Sequence, residues 1–201
     1  MKQIFILLMV AMCATMFTAC SKDDDKNPLD DNGEGVITMT VEGNTIGLQI
    51  YSFNEGDIIT IDWGDGTVEE FKSVEIYYDW DEDGEDEIHY AITTDDYVEH
   101  EYSNRNPHIV TIKGKIKYLG CEDNNLTSLD VSGCTALTFL VCSRNNLTSS
   151  ALNQIFRNLP QGKTVDNGYS QSRILIYDNP GTETCDKSIA ENKGWEVNTI
   201  W

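Results

Sequence analysis

The sequence predicts a mixed fold: an all-β sandwich of antiparallel strands, followed by a small α/β solenoid of parallel strands. In the front half of the chain apolar and polar residues alternate, which is typical of strands that bury one face of a sheet. In the back half one set of residues returns at a fixed interval, which is typical of a solenoid whose strands stack in parallel. An apolar stretch at the N-terminus precedes both halves and predicts export.

The N-terminus predicts lipid attachment as well as export. Lys2 supplies a positive charge, and the apolar run Ile4–Ala19 has 16 residues, fewer than the roughly 20 that a membrane-spanning helix needs. The run ends in Phe17-Thr18-Ala19-Cys20, which resembles the lipobox of bacterial lipoproteins. The resemblance implies that residues 1–19 are a signal peptide and that Cys20 becomes the lipidated N-terminal residue. An ordinary secretory signal is the alternative.

Residues 20–35 predict a disordered acidic tether. Ser21–Lys26 places three Asp residues directly behind Cys20. This cluster resembles the signal by which one group of Gram-negative bacteria sends lipoproteins to the outer face of the outer membrane, and it implies a cell-surface protein anchored by lipid. A merely solvated tether is the alternative, because the segment has almost no apolar side chains to bury. In both interpretations the folded part of the chain begins near Val36.

The net charge of the chain restricts its partners. The formal charge is −20, and residues 20–114 carry 25 acidic against 5 basic side chains, whereas residues 115–201 carry 9 against 8. An acidic surface of this kind repels phosphate backbones. The composition therefore argues against nucleic acid and favours cations or basic proteins.

Three alternating runs predict the first strands of the sandwich, with turns at Gly43-Asn44 and at residues 54–57. The apolar residues of these runs, expected to face the core, are Ile37, Met39, Val41, Ile46, Leu48, Ile50, Ile59, Ile61 and Trp63.

Two motifs in the front half, Trp63–Thr67 (W-G-D-G-T) and His100-Glu101-Tyr102, precede the apolar strand Ile109–Ile112. Together they resemble the PKD family of immunoglobulin-like sandwiches, over residues 36–114. The resemblance implies that Asp62 and Asp65 are turn residues, that Trp63 is core and that His100 belongs to the sandwich. Catalysis by the two carboxylates is the alternative. A metal site would need His89, His100 and His108 to converge, so we expect these scattered histidines to be surface or packing residues instead.

An insertion at residues 73–93 predicts a hairpin with an acidic tip, because apolar residues alternate along both of its arms. Asp79, Asp81 and Asp83, followed by Gly84, match the opening of a calcium loop, and Glu85 or Glu87 could replace the Glu that normally closes it. Weak calcium binding is one interpretation of this tip. A solvated acidic loop that protects a sheet edge is the other.

A spacing of 21 residues organises the back half, where Ile116, Leu119, Cys121, Asn124 and Leu126 return as Leu137, Leu140, Cys142, Asn145 and Leu147. Both copies resemble the leucine-rich repeat, which implies parallel strands and buried Asn side chains stacked as a ladder.

The rest of residues 115–201 predicts a closing unit. Ser149-Ser150 is expected to cap a helix over residues 151–159, and Ile174–Ile176 predicts a third strand, 34 residues after the second. A short helix near residues 186–193 and a strand at Trp195 follow, and this segment resembles the C-terminal cap of bacterial surface leucine-rich repeat proteins.

Four cysteines lie in the back half: Cys121, Cys134, Cys142 and Cys185. An even number in an exported protein is compatible with disulfides. Because Cys121 and Cys142 occupy inward positions of the repeat, where a small apolar thiol packs well, buried free thiols are the preferred interpretation.

The outward positions of the predicted repeat strands are the candidate ligand-binding residues: Tyr118, Phe139, Val141, Leu175 and Tyr177. An exposed patch of aromatic and aliphatic side chains on a repeat sheet is a plausible docking surface. Alternatively the sandwich covers this patch, or the patch continues the core, and the acidic hairpin then becomes the better contact. We expect a non-catalytic binding or adhesion lipoprotein with an unidentified protein or glycan ligand. An accessory glycan hydrolase and a structural envelope protein are the alternatives.

Overall fold

The structure is a computed structural model that describes residues 35–78, 87–95, 97–163 and 172–200. The predicted signal peptide, Cys20 and the tether up to residue 34 lie outside the described residues. So do four of the five calcium candidates, Asp79, Asp81, Asp83 and Glu85.

The described residues are mostly β-sheet, with 13 strands and 2 helices. The strands of the front half are β1 (Gly35–Glu42), β2 (Thr45–Ser52), β3 (Ile58–Asp62), β4 (Val68–Lys72), β5 (Val74–Tyr78), β6 (Glu87–Ala91), β7 (Val98–Glu101) and β8 (Pro107–Gly114). The elements of the back half are β9 (Tyr118–Gly120), β10 (Leu126–Asp130), β11 (Phe139–Val141), α1 (Ser149–Asn158), β12 (Ser172–Leu175), α2 (Ser188–Glu191) and β13 (Trp195–Asn198).

The strands form two sheets. The first sheet has the order β10-β1-β8-β3-β4 and is antiparallel throughout. The second sheet has the order β13-β12-β11-β9-β2-β6-β5, and β7 pairs with β2 beside this path. The predicted hairpin is present as the antiparallel pair of β5 and β6.

The back half contributes parallel strands to the second sheet, as the repeat predicts. Leu119 of β9 is paired with Leu140 of β11, and Leu140 is paired with Ile174 of β12, so the register steps are the 21 and 34 residues seen in the sequence. β13 adds a fourth parallel strand beside β12. The predicted parallel pairing of these strands is confirmed.

The inner faces of both sheets enclose one apolar core. The nine core-facing residues predicted from the alternating runs are all at most 1 % exposed. The core cluster extends from Ile37 in β1 to Trp195 in β13. Hydrogen-bonded strands also cross the predicted boundary after Gly114, because β10 pairs with β1 and β9 pairs with β2.

Two strands and one cap differ from the sequence-based expectation. β4 and β10 were not predicted, since neither has the apolar alternation of the other strands, and each is held as an edge strand of the first sheet. The cap of α1 is Thr148, whose Oγ1 accepts the Ala151 N–H at 3.3 Å, and the predicted Ser149-Ser150 pair lies inside the helix. The apolar side of α1 is buried in the core as expected.

Candidate functional site

The predicted ligand-binding residues lie on the outer face of the second sheet. Leu119, Leu140 and Ile174 point inward and are fully buried. Because side chains alternate along a strand, their neighbours point outward. Phe139 is level with Tyr118 across the β9–β11 pair, and Val141 is level with Leu175 across the β11–β12 pair.

Of the two interpretations left open for this patch, exposed or covered, the covered one holds for three of its five residues. Tyr118, Val141 and Tyr177 are only 5–8 % exposed, whereas Phe139 and Leu175 are half-buried. The cause is packing among the patch residues and with the front half. Tyr118 stacks on Tyr51 of β2 with ring centroids 4.7 Å apart, and Phe139 meets the Tyr118 ring edge-on at 5.3 Å.

The resulting outer-face cluster contains residues that the sequence analysis missed. Tyr51 and Ala91 are buried in it beside Tyr118 and Val141, and Ile76 of the hairpin packs against it together with Phe139 and Leu175. Alternation along β2 identifies Tyr51 as outward-facing, since Ile50 faces the core. The pairing of β2 with β9 brings Tyr51 to the patch. Nothing in the sequence of either strand predicts this pairing.

Polar groups border the outer-face cluster. The Tyr118 hydroxyl donates to Gln49 Oε1 at 2.8 Å, and burial, with the nearby Glu122 carboxylate, holds the pKa of Tyr118 well above its usual value. The Arg144 guanidinium lies 5.4 Å from the centre of the Tyr177 ring and donates to Asp123 Oδ2 at 3.1 Å. This hydrogen bond raises the pKa of Arg144.

The W-G-D-G-T segment forms a turn whose carboxylates bind the turn itself. Asp62 Oδ1 accepts the Gly64 N–H at 3.0 Å, and Asp65 Oδ1 accepts the Thr67 N–H at 2.9 Å. Asp65 Oδ2 lies 2.9 Å from His100 Nε2. This side-chain hydrogen bond, followed by that of the Thr67 N–H, lowers the pKa of Asp65 to about 2.

The turn is fastened to β7 and β8 by what we call the aromatic corner: Trp63, His100, Tyr102 and His108. Trp63 is fully buried and stacks on His100 with centroids 4.8 Å apart. The Tyr102 hydroxyl donates to the Trp63 carbonyl at 2.9 Å, and the Tyr102 ring stacks on His108 at 3.8 Å. Asp62, Trp63, Asp65 and His100 thus occupy the structural positions that the resemblance implies.

The back half is fastened by what we call the asparagine ladder: Asn124, Asn145 and Asn179. Asn145 Oδ1 accepts the N–H groups of Asn124 and Leu126 at 3.0 and 2.9 Å, and its Nδ2 donates to three backbone carbonyls. Asn179 makes the equivalent contacts with Leu147 N–H and two carbonyls. Asn124 and Asn145 are buried, as predicted, and Asn179 is a third buried amide with equivalent contacts, which the sequence analysis did not identify.

Comparisons with known proteins were made with the whole chain. No protein-family model matches it. No curated protein and no solved structure matches it either. Within the part of the chain that the structure describes, no helix is long and apolar enough to cross a membrane.

The four cysteines of the back half are free thiols in the structure. Cys121, Cys134 and Cys142 are buried, and Cys185 is half-buried, which agrees with the preferred interpretation. Burial raises the pKa of Cys134 to about 11 and that of Cys142 to about 12. Such thiols are protonated at neutral pH and are poor nucleophiles.

Of the five calcium candidates only Glu87 is described, and its side chain is exposed, with Oε2 3.5 Å from His89 Nε2. In the ranges that the structure covers, no three His, Cys, Asp or Glu side chains are placed to hold a metal ion. Calcium binding at the hairpin tip therefore stays a prediction.

Proposed function

We propose that this protein is a non-catalytic lipoprotein of the cell surface that binds another macromolecule. Lipid on Cys20 would anchor it in the outer membrane, and residues 20–35 would act as a tether. The folded part would combine a PKD-like sandwich with a short leucine-rich repeat domain and its cap. The aromatic corner supports the first assignment, and the register steps and the asparagine ladder support the second.

The observation that carries the binding function is the apolar outer-face cluster. It draws on both halves of the chain, from Ile76 and Tyr51 to Phe139 and Leu175. An outer sheet face that only meets water normally carries polar side chains. Aromatic residues gathered on such a face are typical of contact surfaces. Phe139 and Leu175, which are half-buried, would make the contact.

We also propose that the protein is not catalytic, because the candidate carboxylates are engaged in hydrogen bonds within the fold. Asp62 and Asp65 each accept a backbone N–H of their own turn, and Asp65 is also bonded to His100. A carboxylate with a pKa of about 2 is a weak base and a poor proton donor near neutral pH. These bonds favour a structural role over a hydrolytic one.

The binding function can be tested with the lipidated protein in supported bilayers. Surface plasmon resonance against a panel of extracellular matrix proteins and glycans should identify a partner. We expect Leu175→Glu to weaken that binding at least tenfold, because it places a charge in the apolar cluster. Val68→Glu is the matched control, since Val68 is 59 % exposed on β4 of the other sheet, and it should change affinity less than twofold.

The alternatives predict different results in the same assay. A structural envelope protein would bind nothing in the panel. An accessory hydrolase would release product from a polysaccharide, and Asp65→Asn would abolish the release. Circular dichroism must show that Leu175→Glu is folded, and Phe139→Ser is the second variant if it is not.

The proposed location has its own test. Protease added to intact cells should degrade the protein, and Cys20→Ser should abolish incorporation of a labelled fatty acid. Complete protection from protease would contradict surface exposure, while retained labelling of the Cys20→Ser variant would contradict the anchor.

A further inference from the structure

The hairpin of β5 and β6 ends the second sheet and leaves one strand edge open. In the strand order of this sheet β5 is the last strand, and among the described residues it pairs only with β6. The backbone N–H and C=O groups of β5 that point away from β6 are therefore available to another strand. An extended segment is the kind of partner that such an edge binds.

The sequence of β5 does not protect this edge. Charged side chains on an outer strand, and helices packed beside it, keep sheet edges from pairing with other chains. In this protein β10 and β13 each contact a helix. The outer strands β4 and β7 carry several charged residues: Glu69, Glu70 and Lys72 in β4, and Glu99 and Glu101 in β7. In β5, by contrast, only Glu75 is charged.

The hairpin also presents apolar side chains on both of its faces. On the outer face Val74 is 37 % exposed, and Ile76 packs against the outer-face cluster. On the opposite face Tyr77 and Ile88 are paired across the hairpin and are 62 and 52 % exposed. Apolar groups beside an open edge are stabilised when a further strand covers them.

The sequence of β5 is complementary to itself when two copies run antiparallel. If the two-fold axis passes through Ile76, the two Ile76 side chains face each other, and Tyr77 faces Glu75 of the second copy. The Tyr77 hydroxyl already donates to the Glu75 carboxylate within one chain, so the same two groups would be able to bond between copies. In this register no like charges on β5 lie directly opposite each other.

The acidic loops that follow β5 would not face each other in this arrangement. Because the two strands run in opposite directions, the loops start at opposite ends of the strand pair. At about 3.4 Å per residue, the C-terminal ends of the two strands would lie roughly 14 Å apart, beyond the screening length of about 8 Å at physiological salt. Repulsion between the loops is therefore weak in this register.

We propose that β5 pairs with β5 of a second copy of this chain, antiparallel and centred on Ile76, and that the protein is a homodimer. A contact of this kind uses the same strand of both copies, so it closes after two chains. Facing residues of an antiparallel pair point to the same side of the sheet. The outer-face clusters of the two copies would thus share one face of a continuous sheet. Dimer formation itself does not depend on the proposed binding function.

Disulfide cross-linking tests both the pairing and its register. The protein used is the mature chain with Cys20→Ser, whose other cysteines are buried or half-buried. Under a mild oxidant, Ile76→Cys should form covalent dimers about tenfold faster than Tyr77→Cys, because facing residues lie close enough for a disulfide and diagonal neighbours do not. Val68→Cys, on the exposed edge strand β4 of the other sheet, is the second control and should cross-link as slowly as Tyr77→Cys.

A mixture of two variants tests the neighbouring positions of the same register. Glu75→Cys and Tyr77→Cys should cross-link slowly when each is alone and about tenfold faster when they are mixed, since these positions face each other only between copies. Facing pairs alternate between closer and wider spacing along an antiparallel ladder. Either the Ile76 pair or the mixed pair therefore has the closer spacing, and at least one of them should cross-link.

Sedimentation velocity of the Cys20→Ser protein measures the dimer without added cysteines. The dimer fraction should rise with protein concentration and with salt, because salt screens the repulsion between two chains of formal charge −20. Ile76→Lys, shown to be folded by circular dichroism, should stay monomeric because two like charges would face each other. Leu175→Glu should leave the dimer fraction unchanged, so a failure of the binding function is distinguishable from a failure of this proposal.

Three results would overturn the proposal. A monomer at every concentration, without rapid cross-linking of Ile76→Cys or of the mixed variants, would favour an acidic loop that protects the edge. Equal cross-linking of Ile76→Cys, Tyr77→Cys and Val68→Cys would indicate random collision. A dimer that persists in Ile76→Lys would place the contact elsewhere on the molecule.

Discussion

The aromatic corner and the asparagine ladder fasten the two halves of this protein in different ways. The corner joins the turn at Trp63 to Tyr102 through ring stacking and one hydroxyl hydrogen bond. The ladder joins successive strands through buried amides, and Asn145 alone serves two N–H donors and three carbonyl acceptors. Stacked rings keep most of their contact when one polar atom is lost, whereas a missing amide leaves several backbone groups without partners.

This difference also bears on function. Both clusters use polar side chains that, from sequence alone, could have been active-site groups. In the structure Asp65, His100 and Asn145 are bonded to other parts of the fold. The outer face of the second sheet carries instead an apolar cluster that includes half-buried Phe139 and Leu175.

The largest loss of stability is expected from a substitution in the asparagine ladder. Asn145→Leu keeps the branched shape of the side chain but leaves two buried N–H groups without an acceptor, so we expect a loss of about 4 kcal/mol in the free energy of unfolding. Urea denaturation measures it. Asn146→Ala is the control, since Asn146 is exposed, and it should cost less than about 0.5 kcal/mol. A loss below about 1 kcal/mol for Asn145→Leu would contradict the expectation that the ladder depends more on its polar contacts than the aromatic corner does.

The next largest loss of stability is expected where the backbone of the turn at Gly64 lies close to β8. Gly64 has φ +81°, and a Cβ there would lie 2.4 Å from the Ile109 carbonyl oxygen. Gly66 also has a positive φ, +98°, but a Cβ there meets nothing within 4 Å. We therefore expect Gly64→Ala to cost about 3 kcal/mol and Gly66→Ala about 1 kcal/mol by thermal or urea unfolding. Equal costs would show that the close approach to Ile109 is unimportant.

Removing a single hydroxyl from the corner should have a smaller effect. Tyr102→Phe loses the hydrogen bond to the Trp63 carbonyl but keeps the ring between His100 and His108. We expect a loss of about 1 kcal/mol, measured by urea denaturation. Tyr77→Phe, at a ring that is 62 % exposed, should be nearly neutral. A loss as large as that of Asn145→Leu would mean that the corner depends on its polar contacts as much as the ladder does.

The smallest expected effect is on the loss of stability at acidic pH. The pKa of Asp65 is lowered from 3.8 to about 2 in the folded protein by its hydrogen bonds to His100 and Thr67. Because the folded pKa lies below the unfolded one, the stabilisation is complete above pH 3.8 and is lost as the pH falls toward 2. Melting temperatures between pH 5 and pH 2 should therefore fall less steeply for Asp65→Asn than for the unchanged protein. Parallel curves would contradict the role of this carboxylate.

Local patterns predicted much of the fold, and their success follows from what each pattern encodes. Alternation identified the inward residues of β1 to β3, because side-chain direction depends only on position in the strand. The 21-residue spacing predicted the register of β9 and β11, because the repeats are copies and stack in register. The third strand was predicted from the apolar run Ile174–Ile176, although its spacing of 34 residues departs from the repeat.

Contacts between distant segments could not be predicted in this way. The pairing of β2 with β9 and of β1 with β10 depends on the order of strands in each sheet, which no single strand specifies. For the same reason Tyr51 was missed, and the sequence could not decide whether the patch is exposed or covered.

The corner and the ladder hold the fold, and we propose that the outer face of the second sheet makes the contact. Hydrogen–deuterium exchange of the mature protein, with and without the partner found by surface plasmon resonance, tests this division most directly. We predict slower exchange in residues 118–120, 139–141 and 172–175, with no change in the turn at 62–67. Slower exchange confined to that turn, or to the strands of the first sheet, would contradict the proposal.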